Sequence, residues 1–260
     1  MQVYLDQNRL QKNRSSFRIK LYFWIFLSGL ALIGIFYAVF YSPIFKVRNF
    51  KITGARHLTD RQVLNILQPL ILNNEIKNFS GLNNLFVWNG KNFNVSGTAL
   101  SKADIDRDWL RQSVIIDIQE RERFAIWCST GDDCHWMDNN GVIFEEAPKT
   151  EGSLILTVYD NGEKRISLGD KVIEDRFITD VTAVLKGILG LRLPIQKIIY
   201  DGKLQEVQVK TYAGTEFLFS VRFDPSANLN SLESIREETG FKNIRYVDLR
   251  VENRIFYKNL

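Results

Sequence analysis

Residues 21 to 41 read LYFWIFLSGLALIGIFYAVFY and contain no charged residue. As a helix rising about 1.5 Å per residue, the run covers roughly 31 Å, which matches a bilayer hydrocarbon core of about 30 Å. Gly29 and Gly34 do not break such a helix, because lipid offers no water to compete for its backbone hydrogen bonds. Tyr22 and Trp24 near one end, with Tyr37 and Tyr41 near the other, stand where interfacial aromatics belong. A cleaved secretory signal has a shorter apolar region, of about 7 to 15 residues, and ends at a small-residue cleavage site. Tyr41-Ser42-Pro43 is a poor site of that kind, so the run reads as an uncleaved membrane anchor.

The charge on either side gives the anchor a direction. Residues 1 to 20 hold Arg9, Lys12, Arg14, Arg18 and Lys20 against Asp6, and read as a short, flexible, basic cytoplasmic tail. The whole chain has 34 basic and 30 acidic residues, so that excess is the entire net charge of +4. Everything beyond residue 20 is balanced, and the basic pI gives no argument for nucleic acid. With 12% aromatics and only five prolines in the whole chain, the sequence has the composition of folded protein rather than a disordered stalk beyond the anchor. Its size suits two small domains.

Two textures follow one another along that portion. First comes a strand with Phe50 and Ile52 on one face, closed by Gly54. Thr59-Asp60-Arg61-Gln62 has the form of a capping box, and Val63, Ile66, Leu67 and Leu70 follow at helical spacing. Residues 73 to 97 show no period and read as turns with at most a poor helix. Ala103, Ile105 and Arg107 alternate, Asp108 to Gln112 form a turn, and Val114, Ile116 and Ile118 alternate with polar neighbours. From Arg121 the chain changes to short strands with turn signals. Ala125 to Cys128 is one strand, Asn139-Asn140-Gly141 is a hairpin turn, and strands at 142–144 and 154–159 continue the sheet. A helical stripe of Phe177, Val181, Val184, Leu185, Ile188 and Leu189 ends at Gly190. A meander is expected at 195–200, 206–211 and 217–223, then a helix from Leu229 to Thr239, then strands at 244–251 and 255–257.

Cys128 and Cys134 lie six positions apart in a segment placed outside the cytoplasm, where a disulfide is the expected state. The alternatives are free thiols, or a metal site using the adjacent His135, which lacks the four ligands a structural zinc needs. No catalytic constellation is visible: His57 and His135 sit in no nucleophile or metal motif, and Glu145 and Glu146 are adjacent rather than paired across a face. No cofactor, small-molecule substrate or nucleic acid is expected.

Four stretches carry a resemblance. Phe45-Lys46-Val47 to Gly54 is similar to the first strand of a polypeptide-transport-associated (POTRA) module, directly behind the anchor. SVIIDIQERERFA, Ser113 to Ala125, resembles a strand followed by a Glu-Arg-x-Pro-x-Ala turn, with Glu120, Arg121 and Ala125 in register. Arg123 stands where that motif usually has proline. Asp138 and Gly141 resemble an Asp-x-x-Gly hairpin, and Tyr246 to Arg250 followed by Asn253-Arg254-Ile255 resembles a closing strand pair. Together they resemble the FtsQ/DivIB family of bacterial cell-division proteins.

The resemblance implies an α+β chain with a cytoplasmic tail at 1–20, a transmembrane helix at 21–41, a POTRA-like β-α-(α)-β-β domain at 45–120 and a larger β domain at 121–260. That larger domain would have two helices and a C-terminal antiparallel meander. It implies a single-pass plasma-membrane protein with its bulk outside the cytoplasm, gathered at the division septum, and a non-enzymatic scaffold role. By position it assigns contact with coiled-coil partners of the FtsB/FtsL type to Arg250, Val251, Ile255 and Tyr257, through addition of a partner segment to an open strand. Other readings are a POTRA-type module for secretion or envelope assembly, and a membrane-anchored cell-wall enzyme.

Overall fold

The structure, a computed structural model, describes residues 3–73, 75–88, 90, 93–129, 133–150, 155–162, 165–241 and 243–259. Met1 and Gln2 of the tail, four positions of the Asn-rich stretch at 73–97 and Leu154 of an expected strand lie outside the described residues.

The first helix, α1 (Val3–Tyr41), is longer than the apolar run that nucleates it. Its stretch Ile19–Tyr41, 23 residues, is long and apolar enough to cross a membrane, and none of its most apolar window is buried in the protein. The tail expected to be flexible is helical from Val3 onward. Residues 3–20 contain neither glycine nor proline, so extending an established helix through them costs little beyond fixing each residue. Pro43 stops the helix, and Ser42 Oγ accepts from the Ile44 amide to start a 3-10 turn, Pro43–Phe45.

Two compact units follow from the contacts, one comprising 1–53, 59–93 and 104–117, the other 54–58, 94–103 and 118–260. In the first lie β1 (Asn49–Thr53), α2 (Asp60–Ile71) and α3 (Glu75–Ser80). The strands β2 (Leu100–Asp108) and β3 (Ser113–Glu120) begin or end in the second. The sheet order is β1-β3-β2, with β1 parallel to β3 and Ile52 beside Ile116. The capping box forms as the sequence indicates: the Gln62 amide donates to Thr59 Oγ1 and the Thr59 amide to Gln62 Oε1 at 2.9 Å. Val63, Leu67 and Ile71 are the buried positions of α2, while Ile66 and Leu70 are half-buried. The unassigned stretch is core rather than turns alone, since Leu85, Val87 and Trp88 are buried and Trp88 Nε1 donates to the Leu82 carbonyl at 2.7 Å.

The second unit holds a mixed sheet of nine strands. They are β4 (Ala125–Cys128), β5 (Cys134–Met137), β6 (Ile143–Glu146), β7 (Thr157–Asp160), β8 (Ile195–Asp201), β9 (Glu206–Thr211), β10 (Glu216–Ser220), β11 (Ile244–Val251) and β12 (Arg254–Asn259). The order is β12-β11-β10-β9-β8-β7-β4-β5-β6. Two helices, α4 (Ile178–Gly190) and α5 (Ser226–Thr239), cover one face. Val181, Val184, Leu185 and Ile188 of α4 and Leu232 of α5 join Val207, Val209, Phe217, Phe219, Val247 and Leu249 in a single core.

The antiparallel meander is real from β8 to β10, but it does not run to the end of the chain. β10 and β11 are parallel, because α5 carries the chain back to the starting end of the sheet. β10 also stops at Ser220 rather than continuing to Phe223. Gly187 permits the helices to approach: a Cβ there would meet Leu229 Cδ2 at 2.6 Å. Cys128 and Cys134 face each other across β4 and β5 and are joined in a disulfide.

Candidate partner-binding edge

The last two strands form a hairpin through Glu252 and Asn253, with Asn253 at φ 55° in the left-handed region that asparagine tolerates. Val247 stands opposite Tyr257 and Asp248 opposite Phe256, with an irregularity between Asp248 and Val251. From Tyr246 onward β11 alternates, burying Val247 and Leu249 in the core and turning Tyr246, Asp248 and Arg250 to the other face. β12 closes the sheet: among the described residues no strand lies outside it. An edge strand carries one row of amides and carbonyls that the sheet does not use.

The four residues assigned to partner contact do different things. Tyr257, on β12, is 60% exposed, and Val251, at the end of β11, is 45% exposed. Ile255 is half-buried and packs against the core, so it holds β12 to the sheet. Arg250 is engaged within the protein. Its Nε and Nη2 donate to Asp248 Oδ1 and Oδ2 at 2.9 and 2.6 Å, and its Nη1 donates to Glu206 Oε2 at 3.2 Å. The Arg250 guanidinium is the largest influence on the Asp248 carboxyl and holds it below the usual range despite partial burial. Phe256, absent from the four, is 51% exposed and stands opposite Asp248, on the other face of the strand from Tyr257. Its signal was weak because five of the six β12 residues are exposed, which hides any alternation.

The opposite edge is treated differently. Beside β6, Val142 bridges to Lys171, the Ile143 amide donates to the Asp170 carbonyl at 3.0 Å, and the Gly169 amide donates to the Ile143 carbonyl at 2.7 Å. The remainder of β6 carries Glu145 and Glu146, charges that discourage strand addition.

A wide groove of about 820 Å³ in the second unit is lined with titratable groups, most of them tied to a neighbour. Glu120 accepts from the amides of Arg56, His57 and Leu58 at 2.8, 3.0 and 2.9 Å. Arg56 pairs with Glu122 at 3.5 Å, Arg123 with Glu145 at 2.7 Å, and Arg121 with Asp138 in a largely buried pair. Burial raises the Glu120 carboxyl, but the three amides outweigh it and leave it below the ordinary value. Asp138 Oδ1 also accepts from the Asn140 and Val142 amides, which fixes the hairpin at Gly141. His57 is exposed, whereas His135 is buried on β5, its Nδ1 3.6 Å from Asp133 Oδ1 and without a hydrogen-bond partner. Among the described residues no cluster of three or more His, Cys, Asp or Glu is placed to hold a metal ion. Compared with protein-family models and with curated proteins, the chain matches none.

Proposed function

We propose that the chain is a membrane-anchored, non-enzymatic scaffold of the FtsQ/DivIB type. Its β11–β12 edge receives an extended segment from a coiled-coil division protein of the FtsB or FtsL type. The observation that carries this reading is β12, an open edge with Val251, Phe256 and Tyr257 exposed beside it, while the other edge is covered and acidic. Backbone pairing along the edge supplies affinity, and the apolar side chains supply selectivity. The apolar helix Ile19–Tyr41 is the anchor, and the basic residues before it hold the N-terminus in the cytoplasm. The bulk then lies outside the plasma membrane, at the septum. The β-α-α-β-β order of the first unit is the order of a POTRA module. That order equally supports a POTRA-type role in secretion or envelope assembly.

The test is a pull-down from cells expressing the full chain, unaltered or as Val251→Asp with Tyr257→Asp, combined with imaging of a fluorescent fusion. Retention of coiled-coil division proteins by the unaltered chain and their loss from the variant is the expected result. Equal recovery by both chains removes the edge as the contact. A fusion spread evenly around the envelope removes the division role.

A further inference from the structure

The exit of α1 is surrounded by exposed apolar side chains that belong to the first unit and serve no core. Three segments are tied to residues 36–45. On α3, the Phe79 ring lies 5.6 Å from Phe40 and 6.5 Å from Phe36, both within the apolar span. Asn84 Nδ2 donates to the Val39 carbonyl in the last turn of α1 at 2.9 Å, and Phe86 packs its ring 4.9 Å from Phe45. In the turn between β2 and β3, Gln112 Nε2 donates to the Pro43 and Ile44 carbonyls at 2.9 and 2.6 Å, and Trp109 lies 6.1 Å from Phe45.

These ties place the exposed groups in one ring around the helix end. Phe79 is 63% exposed, Ile44 65% and Leu110, at the tip of its turn, 97%. Single exposed apolar residues are ordinary, but a ring of them where an apolar helix emerges is not scatter. Trp109 also has the Arg107 guanidinium over its ring at 4.8 Å, and the neighbouring Arg111 side chain is 86% exposed. An indole with guanidinium groups beside it suits the boundary between acyl chains and phosphates.

We infer that this ring, centred on Phe79, Trp109 and Leu110, is a second membrane contact that seats the first unit in the interfacial layer of the bilayer crossed by α1. The inference rests on the anchor reading given above. The occupant is lipid because the ring is continuous with the span: Phe36 and Phe40 face acyl chains in an anchor, and Phe79 touches both. Seated in this way, the unit is held against the membrane instead of swinging from the helix end.

The test places an environment-sensitive fluorophore on one added cysteine at a time, since Cys128 and Cys134 are disulfide-bonded and no other cysteine is present. Full-length Leu32→Cys, Phe79→Cys, Leu110→Cys and Leu204→Cys are labelled. They are then reconstituted in vesicles of phosphatidylcholine and phosphatidylglycerol, with nitroxide-bearing lipid and aqueous iodide as the two quenchers. Leu204 is 60% exposed in the second unit and serves as the aqueous reference. Labels at 79 and 110 are expected to be quenched by the lipid nitroxide and protected from iodide by roughly threefold or more relative to 204. If 79 and 110 behave like 204 while 32 is quenched by lipid, the ring falls and the anchor stands. Protection from iodide without lipid quenching marks a protein contact and also overturns the proposal. If 32 escapes lipid quenching, the anchor and the ring fall together.

Discussion

Arg250 grips Asp248, two residues earlier on the same strand, through two parallel hydrogen bonds, and the Arg250 amide donates to the same carboxylate at 3.0 Å. The arrangement stabilises the irregularity that ends β11 and links it to Glu206 on β9. Arg250→Ala is therefore expected to act first on stability, lowering the unfolding free energy by about 1 kcal/mol for a partly exposed bidentate pair. The Asp248 carboxyl sits below its ordinary 3.8 when folded, so its contribution is complete above that value and is lost as pH falls through the folded value. Urea unfolding of the full chain in detergent checks this. The gap between Arg250→Ala and the unaltered chain should be widest near neutrality and narrow below about pH 4. A gap that does not change with pH contradicts the assignment. Loss of partner binding in an Arg250 variant is consequently ambiguous, and Tyr257 is the cleaner probe.

Gly54 and Gly214 share a φ of +87° but differ in surroundings. A Cβ at Gly54 would stand 1.9 Å from the Ile118 carbonyl oxygen, whereas one at Gly214 meets nothing within 4 Å. Gly214→Ala is expected to cost about 1 kcal/mol, the strain of the left-handed conformation alone. Gly54→Ala adds a backbone collision and should exceed it by about 2 kcal/mol or more. Thermal unfolding of the two variants side by side measures the difference, and equal losses would show that the end of β1 yields freely.

The Cys128–Cys134 disulfide joins directly opposed positions of β4 and β5, and both residues are buried. Closing so short a loop is worth about 2 kcal/mol on the chain-entropy estimate. Replacing both cysteines by alanine should lower stability by about that amount, and a reductant should destabilise the unaltered chain but leave the double variant unaffected. Denaturant midpoints with and without dithiothreitol decide it.

The elements legible in the sequence are those specified by neighbours in the chain. Thr59 and Gln62 announce α2 because a capping box is completed within four residues, and Val114, Ile116 and Ile118 announce β3 because period two needs no partner to be seen. Asn140 and Gly141 mark a turn for the same reason. Trp88 was hidden because its burial depends on Phe50, 5.0 Å away in space but 38 positions earlier in the chain. The parallel pairing of β10 with β11 was hidden because it depends on where α5 returns the chain. Of the candidate site, Val251 and Tyr257 could be named by position. The intramolecular engagement of Arg250 is partly local, through Asp248 two residues earlier, and partly not, through Glu206 on a strand two places away in the sheet.

Glu120 provides the sharpest local test, because one carboxylate collects three consecutive amides, those of Arg56, His57 and Leu58. The charge matters as well as the geometry: a carboxylate accepts all three bonds, while an amide side chain offers one oxygen and no charge. Glu120→Gln should weaken the loop by about 1 kcal/mol and Glu120→Ala by somewhat more, since the amides then rely on solvent. The loop can open without unfolding the nine-stranded sheet, so the effect should be local. Hydrogen exchange at Arg56, His57 and Leu58 is expected to accelerate about fivefold to tenfold in Glu120→Gln, with the amides of β8 and β9 unchanged. The folded carboxyl lies below its ordinary 4.5, so the same acceleration should appear in the unaltered chain as pH falls below that value, after correction for intrinsic exchange. Exchange at the three amides that ignores both the substitution and acid would mean that the carboxylate does not hold the loop.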